Sequence, residues 1–260
     1  MVDHDHDISW PAPPAGWQLE SDNIHVWAAS VRVSPRTLTG LAATLCAAER
    51  QRAGRFHFQR DRDRFIAGRG TLRCVLGCYL RARPCAIELE YGPHGKPSLA
   101  GPFATSGLLF NLAHCEDLAL LAVTRSGMIG VDVERVRTLT DADELAARFF
   151  SPRECARFRE LPRSERPAAF FNIWTRKEAW LKATGDGITD SLDRVEVSFQ
   201  RGEPVRLLNL PDNPVVPADR WQLHDLAPAP GFAAALAVAA DCPQPRCWHW
   251  NQEEPSSVYA

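Results

Sequence analysis

The 260-residue sequence has no long hydrophobic run, and its most apolar stretch is the nine residues FAAALAVAA that begin at Phe232. A helix needs roughly 20 consecutive apolar residues to span a bilayer, so this stretch predicts a buried strand instead. The N-terminal residues, MVDHDHDISW, also lack the basic and apolar segments of a signal peptide. We therefore expect a protein that has no membrane partner and stays in the cytoplasm.

The sequence also has little net charge and no closely paired cysteines. Its formal net charge of -2 at pH 7 argues against a protein dedicated to binding nucleic acid. None of the eight cysteines forms a CxxC pair with another, so a zinc site is not expected. In a cytosolic protein of this size, the cysteines are better interpreted as small buried hydrophobic residues.

The order of the predicted elements indicates an α+β fold built from two similar α/β halves. In each half a strand is followed by helices and then by mainly antiparallel strands. We place the N-terminal half at 21–126 and the C-terminal half at 127–242. A loose, proline-rich lead-in occupies 1–20, and a tail occupies 243–260, where Trp248 and Trp250 hint that part of it packs down.

Hydrophobic periodicity and end signals predict the individual elements. Helices are predicted from Ser34-Pro35 towards Gly54 and over 61–83, 142–150, 152–161 and 165–184. Strands are predicted over 23–33, 87–91, 108–114, 118–124, 128–136, 195–199, 205–208, 221–226 and 232–239.

Two separated blocks of charged residues carry the strongest functional signal. The first, GVDVE, alternates apolar and acidic residues and predicts a strand with Asp132 and Glu134 on one face. The second lies on the last long helix, where Trp174, Glu178 and Lys182 are four residues apart and share one stripe. Taken singly, a solvated strand face and a surface salt bridge would explain these residues. Taken together, three carboxylates suit a hard divalent cation and predict magnesium-dependent chemistry on a phosphate ester.

In this order, the two blocks resemble the signature of the larger, surfactin-synthetase-activating (Sfp-type) class of 4'-phosphopantetheinyl transferases. The family pattern is roughly G-[IV]-D-[IV]-E followed by W-x-x-K-E-[AS]-x-x-K-x-x-G-x-G, and the chain supplies WTRKEAWLKATGDG, ending at Gly187, in register. Upstream, GKP at 95–97, FNLAH at 110–114 and the arginine-bearing segment before Gly68 resemble further family elements. The resemblance covers about residues 45 to 200.

The resemblance implies both an architecture and a reaction. The two halves would pack as an intramolecular pseudo-dimer with the active site in the cleft between them, which favours a monomer. The reaction moves the phosphopantetheine arm of coenzyme A to a serine hydroxyl of an acyl or peptidyl carrier protein domain, releasing adenosine 3',5'-bisphosphate. Carrier proteins are typically acidic, so a complementary surface is expected near the cleft.

The resemblance also implies roles for the charged blocks. Asp132, Glu134 and Glu178 would hold Mg²⁺ against the pyrophosphate, whose charge must be neutralised before an oxygen nucleophile attacks. Glu178, directly or through a metal-bound water, is the candidate base for the serine hydroxyl. Lys182, one turn beyond Glu178, would place a positive charge against the pyrophosphate.

Besides Lys182, the residues expected to contact coenzyme A are Arg52, Arg64, Gly95, Lys96, Ala113 and His114. By register with the family, Arg52 and Arg64 would bind its 3'-phosphate, because guanidinium groups suit phosphate well. Lys96, beside Gly95 in a tight loop, would bind the adenine end or its phosphate. His114, at a strand end, would donate to a phosphate oxygen.

Two other functions remain open. The family's usual serine before the histidine is Ala113 here, so only its backbone can contact phosphate, and Glu116 and Asp117 add negative charge nearby. These departures motivate a non-catalytic module that binds coenzyme A and carriers. The six arginines from 50 to 64 motivate a nucleic-acid binder, which predicts salt-sensitive binding to any duplex. A nucleophilic pair of Cys115 and His114 is disfavoured, because adjacent strand residues point to opposite faces.

Overall fold

The structure is a computed structural model that describes residues 8–185, 192–200, 202–211 and 214–252. Its strands are β1 (Ile24–Ser30), β2 (Leu89–Tyr91), β3 (Pro97–Leu99), β4 (Leu109–Cys115), β5 (Leu118–Thr124), β6 (Ile129–Arg135), β7 (Glu196–Val197), β8 (Leu207–Asn209), β9 (Gln222–Leu226), β10 (Phe232–Val238) and β11 (Arg246–His249). Its helices are α1 (Pro35–Thr44), α2 (Ala47–Ala53), α3 (Gln59–Leu80), α4 (Ala142–Phe149), α5 (Pro152–Glu160) and α6 (Arg166–Thr184). Within these ranges, every helix is too short or too polar to cross a membrane.

The first sheet has the strand order β11-β1-β5-β4. β1, β5 and β4 are antiparallel neighbours, whereas β11 runs parallel to β1. Alternation along β1 divides its side chains between two faces. Trp27 shares an apolar cluster with Leu72 and Leu76 of α3, while Val26 and Ala28 point to the opposite face. Helix α3 therefore covers one face of this sheet.

The second sheet has the antiparallel order β6-β10-β9, and α6 covers one of its faces. On β10 the side chains that face α6 are all small: Ala233, Ala235 and Ala237. Small side chains let a helix approach a sheet closely, and this spacing sets the geometry of the candidate site.

The two sheets pack face to face through a shared apolar core, which we call the inter-sheet core. It contains Ile24 and Val26 of β1, Leu120 of β5, Val131 and Val133 of β6, and Leu236 of β10. The layers are therefore helix, sheet, sheet and helix, and the predicted α+β class is confirmed. The relation of the two halves as a pseudo-dimer stays a prediction.

The helix predicted from Ser34-Pro35 towards Gly54 is wrong as one element, because it is broken into α1 and α2. Leu45 and Cys46 adopt extended backbone between the two helices. The Glu49 carboxylate accepts a hydrogen bond from the Cys46 backbone amide at 3.0 Å, which fixes a new helix start. The break turns Glu49 into the interior, where its side chain is 5% exposed.

The predicted lead-in and tail are both more ordered than the sequence suggested. Trp17 packs edge-on against Trp27 with ring centroids 4.9 Å apart, so this part of the lead-in is not loose. Within the tail, β11 forms an edge strand on β1, and Trp248 and Trp250 are buried, as the sequence hinted. The parts of these segments at 1–7 and 253–260 lie outside the described residues.

Most other elements lie close to their predicted ranges, but β3 was not predicted, and β1 ends at Ser30 rather than at 33. Helix α3 stops before the predicted end, because Arg81 takes a left-handed conformation with φ 49°. The predicted strands at 195–199 and 205–208 shrink to β7 and β8, whose pairing contains a register shift.

Candidate active site

Strand β6 and helix α6 lie in direct backbone contact, and Gly130 makes this possible. A Cβ atom on Gly130 would lie 2.0 Å from the Ala179 carbonyl oxygen and 2.3 Å from the Ala183 nitrogen. Any side chain there would therefore push the helix off the strand. Asp132, two residues along the same face of β6, is thereby brought against Lys182 of α6.

Asp132 and Lys182 form an ion pair, while other carboxylate oxygens beside them lack partners. The Lys182 ammonium donates to Asp132 Oδ1 at 2.5 Å, and the Asp132 side chain is only 5% exposed. Asp132 Oδ2 and Glu178 Oε1 are buried and have no hydrogen-bond partner among the described residues. Because buried polar atoms nearly always have a partner, two such oxygens on facing elements favour a ligand between them.

Burial raises the pKa of Asp132 and of Glu178, and neighbouring carboxylates add to the rise. Burial raises the pKa of Asp132 to about 7, with Lys182 opposing and Glu178 and Glu134 adding to the rise. The pKa of Glu178 is also raised, chiefly by burial, with Lys182 opposing and Glu134 adding. The ionised carboxylates therefore have too little positive charge around them. A cation among the three side chains would favour their ionisation.

The three carboxylates suit a hard cation chemically but do not form a ready-made cage. Among the described residues, no group of three or more His, Cys, Asp or Glu side chains is arranged so that it could hold a metal ion. The Lys182 ammonium instead supplies the positive charge beside Asp132. The donor atoms are all carboxylate oxygens, the type that Mg²⁺ prefers, and two of them are unpartnered. Magnesium binding therefore stays a prediction that these residues fit.

Glu134 lies at the edge of this group and contacts β4. The Cys115 thiol donates to Glu134 Oε2 at 3.4 Å and accepts from the Arg135 amide at 3.3 Å. Burial raises the pKa of Cys115 to about 11, and Glu134 contributes to the rise. Cys115 is therefore a neutral thiol near neutral pH, which argues against a Cys-His nucleophile.

A pocket of about 310 Å³ lies beside these groups. It is lined by His94, Gly95, Lys96, Pro97, Asn111, Leu112, Glu178, Leu181, Lys182 and Gly185. The predicted GKP turn and the end of α6, which are far apart in the chain, therefore share one pocket. Gly187, the last residue of the family pattern, lies outside the described residues.

Lys96 ties the GKP turn to the second half of the chain. Its ammonium donates to the carbonyl oxygens of Ala183 at 2.7 Å and Ile129 at 3.2 Å. Burial lowers its pKa to about 8. Gly95 beside it has φ 80°, the left-handed region that the turn requires. Two of the three ammonium hydrogens are thus used by main-chain carbonyls, and one remains for a ligand.

The segment before His114 divides its side chains between the two faces of β4. Ala113 points into the inter-sheet core and is 4% exposed, so a side-chain hydroxyl there would face apolar neighbours. Asn111 also points to β6, where its Oδ1 accepts from the Val131 amide at 2.9 Å. This tether between the sheets is not evident from the sequence. His114 stands on the opposite face, towards α3, and is partly exposed.

His114 lies among positive charges. Partial burial lowers its pKa, and the positive charges of Lys182, Arg64 and Arg69 lower it further, with a backbone hydrogen bond opposing them. The imidazole is therefore neutral near pH 7 and carries one ring N–H that can be donated to a phosphate oxygen.

The structure places the two predicted arginines in different settings. Arg64 donates from Nε to Asp117 Oδ1 at 2.9 Å, and its Nη2 lies 2.8 Å from the same oxygen. Its charge is thus balanced within the chain. The exposed guanidinium of Arg52 instead packs over the Phe65 ring, 5.3 Å from the centroid.

Lys177 and Trp174, two further residues of the α6 pattern, have structural contacts. Lys177 Nζ lies 2.5 Å from Glu154 Oε2, and both side chains are 1% exposed. The same ammonium donates to the carbonyl oxygens of Phe149 and Leu192, each at 3.0 Å. Trp174 stacks on Phe170 and packs edge-on against Phe149, as expected for a core residue.

Two family models match the sequence over adjoining stretches. The model described as 4'-phosphopantetheinyl transferase superfamily matches residues 128–239. The model described as 4'-phosphopantetheinyl transferase, N-terminal, matches residues 30–126. Between them, they cover both sides of the pocket.

Curated relatives match over most of the chain. The chain is 43% identical to 4'-phosphopantetheinyl transferase HetI of Nostoc sp., over 93% of this chain and 98% of the relative. It is 31% identical to a phosphopantetheinyl transferase of Thraustochytrium sp., over 76% and 71% of the two chains. It is 27% identical to a 4'-phosphopantetheinyl transferase of Bacillus subtilis, over 66% and 74%.

Proposed function

Because this chain belongs to the 4'-phosphopantetheinyl transferase superfamily, we propose that it moves the phosphopantetheine arm of coenzyme A to a serine of acyl or peptidyl carrier protein domains, with Mg²⁺ as cofactor. Transfer of phosphopantetheine is the activity for which its matched relatives are named, and the chain is a phosphopantetheinyl transferase. Its coenzyme A and carrier substrates, the cofactor and the residue roles form the proposal.

One observation carries the site assignment. Asp132 Oδ2 and Glu178 Oε1 are buried without partners, one on β6 and one on α6, beside a pocket that also contains the GKP turn. Glu134 completes the set of carboxylates that would hold the cation. A divalent cation bound there would supply positive charge to the pyrophosphate and to the leaving phosphate.

Lys182 supplies a second positive charge to the same pyrophosphate. Its side chain is 31% exposed at the pocket wall, so its ammonium can reach a phosphate oxygen of the ligand. Lys96, which has one ammonium hydrogen left, and the neutral His114 would donate hydrogen bonds along the ligand. These donors would orient the pyrophosphate before the serine oxygen attacks.

Glu178 is our candidate acceptor for the serine proton. It lines the pocket in which the carrier serine would stand, and an ionised carboxylate there can accept a proton. The proton passes to Glu178 directly or to a water that Glu178 orients.

The architecture and setting of the enzyme are part of the same proposal. The two sheets, each with a long helix on its outer face, support a pseudo-dimer of an N-terminal half at 21–126 and a C-terminal half at 127–242. The matched stretches 30–126 and 128–239 also support this division. We further propose that the protein acts as a monomer in the cytoplasm.

The structure weakens the reasons for a non-catalytic module. The Ala113 side chain lies in the inter-sheet core. The hydroxyl of a serine at this position would therefore point away from the face of β4 that carries His114. Asp117 is paired with Arg64, so its charge is balanced rather than added to a phosphate site.

The test is to incubate the protein with coenzyme A, MgCl₂ and an apo-carrier domain, and to follow transfer by mass spectrometry of the carrier. We expect a gain equal to the phosphopantetheine group on one serine, and loss of nearly all transfer in Asp132→Ala and Glu178→Ala. Glu160→Ala, an exposed carboxylate at the end of α5, is the matched control and should keep full activity. Full turnover in either site variant would refute the site assignment.

A further inference from the structure

Strand β6, which carries Asp132 and Glu134, is an edge strand whose free edge is buried. It is the outer strand of the order β6-β10-β9, so every second backbone amide and carbonyl points away from β10. Ile129, Val131 and Val133 are at most 1% exposed, so water does not reach this edge. Buried backbone groups need hydrogen-bond partners, and among the described residues no further strand pairs with β6.

Two side chains of β4 supply partners to this edge. Asn111 Oδ1 accepts from the Val131 amide at 2.9 Å, and Cys115 Sγ accepts from the Arg135 amide at 3.3 Å. The two side chains are four residues apart on β4, and the two amides are four residues apart on β6. These contacts, which we call the β4–β6 ties, therefore hold the two strands side by side in one fixed alignment.

The ties join parts of the candidate site that come from different halves of the chain. Strand β4 carries His114, whereas β6 carries Asp132 and Glu134. Asn111 is 4% exposed and lines the same pocket as Glu178. The spacing between the N-terminal donors and the carboxylates therefore depends on how β6 is held against β4.

Cys115 also contacts one of the carboxylates directly. Its thiol donates to Glu134 Oε2 at 3.4 Å while its sulfur accepts from the amide of the next residue, Arg135. A hydrogen bond to one carboxylate oxygen restricts the rotation of the group, so the thiol orients Glu134 as well as the strand. Loss of a partner that orients a metal ligand typically lowers metal affinity by roughly 10- to 100-fold. Because a thiol is a weak donor, we expect the lower end of this range for Cys115.

We propose that Asn111 and Cys115 are positioning residues, which hold β6 and the Glu134 carboxylate so that the cation ligands face the donors of the N-terminal half. In this scheme neither side chain touches the reacting atoms: Asn111 acts through the Val131 amide, and Cys115 acts through Glu134 and the Arg135 amide. The proposal rests on the proposed function, from which the cation and coenzyme A are taken.

The first test compares Cys115→Ala, which removes the thiol contacts, with Cys115→Ser, which keeps a donor and an acceptor. Mg²⁺ affinity is measured by calorimetry on the protein saturated with coenzyme A, together with kcat and urea unfolding. We expect Cys115→Ala to bind Mg²⁺ roughly tenfold more weakly and Cys115→Ser to stay within about threefold of the wild type, with unfolding midpoints little changed. Cys85→Ala, which removes an exposed thiol, is the matched control and should bind as the wild type does. Wild-type affinity in Cys115→Ala, or an equal loss in Cys115→Ser, would overturn the role of Cys115.

The second test is Asn111→Leu, which is close in volume but leaves the buried Val131 amide without its acceptor. Amide hydrogen exchange of Val131 should become at least about tenfold faster, and Mg²⁺ affinity should fall by a similar factor. Wild-type exchange at Val131, or wild-type Mg²⁺ affinity, would overturn the role of Asn111. If Asn111→Leu fails to fold, the comparison of Cys115→Ala with Cys115→Ser decides the proposal.

These measurements separate the positioning roles from the transferase assignment. If the variants weaken Mg²⁺ binding as expected while no carrier is modified, the positioning roles stand and the proposed function falls. If carriers are modified while Cys115→Ala and Asn111→Leu bind Mg²⁺ as the wild type does, the positioning roles fall and the proposed function stands.

Discussion

Replacing Gly130 with alanine should damage catalysis without removing any charged group. The new Cβ would lie 2.0 Å from the Ala179 carbonyl oxygen, whereas real Cβ atoms essentially never come closer than 3.0 Å to such an atom. Strand β6 and helix α6 must therefore separate by about 1 Å, since both close contacts are backbone atoms. Helix α6 carries Glu178 and Lys182, so the same movement takes both away from Asp132. Displacements of about 1 Å can lower turnover by roughly 10²-fold.

The stability cost of Gly130→Ala should leave the protein folded. Overpacking at one site costs about 1–3 kcal/mol, so Gly130→Ala should remain folded if the protein is of ordinary stability. We would measure kcat and KM for phosphopantetheine transfer together with urea unfolding. Gly40→Ala is the matched control, because a Cβ there meets nothing within 4 Å and Gly40 lies on the exposed side of α1. It should be neutral or stabilising by about 0.4–1 kcal/mol.

Wild-type turnover in Gly130→Ala, with unchanged stability, would refute this reasoning. It would mean that α6 does not rest on β6 as closely as the structure has it. The alignment of Asp132 with Glu178 would then need another explanation.

The remaining predictions concern two buried groups outside the pocket. Lys177→Met should destabilise the fold by about 3–5 kcal/mol in urea unfolding, because it leaves Glu154 as an unpaired buried carboxylate, and unchanged stability would contradict the pairing. Burial, assisted by Arg246, lowers the pKa of His25 to about 4 from 6.5, so between these values the unfolded chain binds the extra proton. Stability present above pH 6.5 should therefore fall by about 3 kcal/mol as the pH drops to 4, and His25→Gln should lose this component. If the stability of the wild type and of His25→Gln changed with pH in the same way, the assignment of this pH dependence to His25 would be contradicted.

The charged blocks could be predicted from the sequence because their signal is local. Alternation in GVDVE fixes which side chains share a strand face, and the spacing of Glu178 and Lys182 fixes their common helix face. The order of the two blocks along the chain also matches the family pattern. Closeness of the two faces depends on Gly130, whose importance is visible only from the Ala179 backbone opposite it.

The arginines could not be sorted from the sequence because their roles depend on counter-charges. Arg64 and Arg69 lie on one helix with similar surroundings in the sequence, but only Arg64 meets Asp117, which comes from the turn between β4 and β5. The pairing of β11 with β1 is likewise non-local and joins the two ends of the described chain. Such contacts arise from tertiary packing, which periodicity does not report.

The central claim is that carboxylates from β6 and α6 together hold one divalent cation. Calorimetric titration of MgCl₂ into the protein saturated with coenzyme A tests it directly, in the wild type and in Asp132→Asn, Glu178→Gln and the exposed control Glu160→Gln. We predict one Mg²⁺ per chain, bound at least about tenfold more weakly in both site variants but not in the control. Wild-type affinity for Mg²⁺ in both Asp132→Asn and Glu178→Gln would contradict the account.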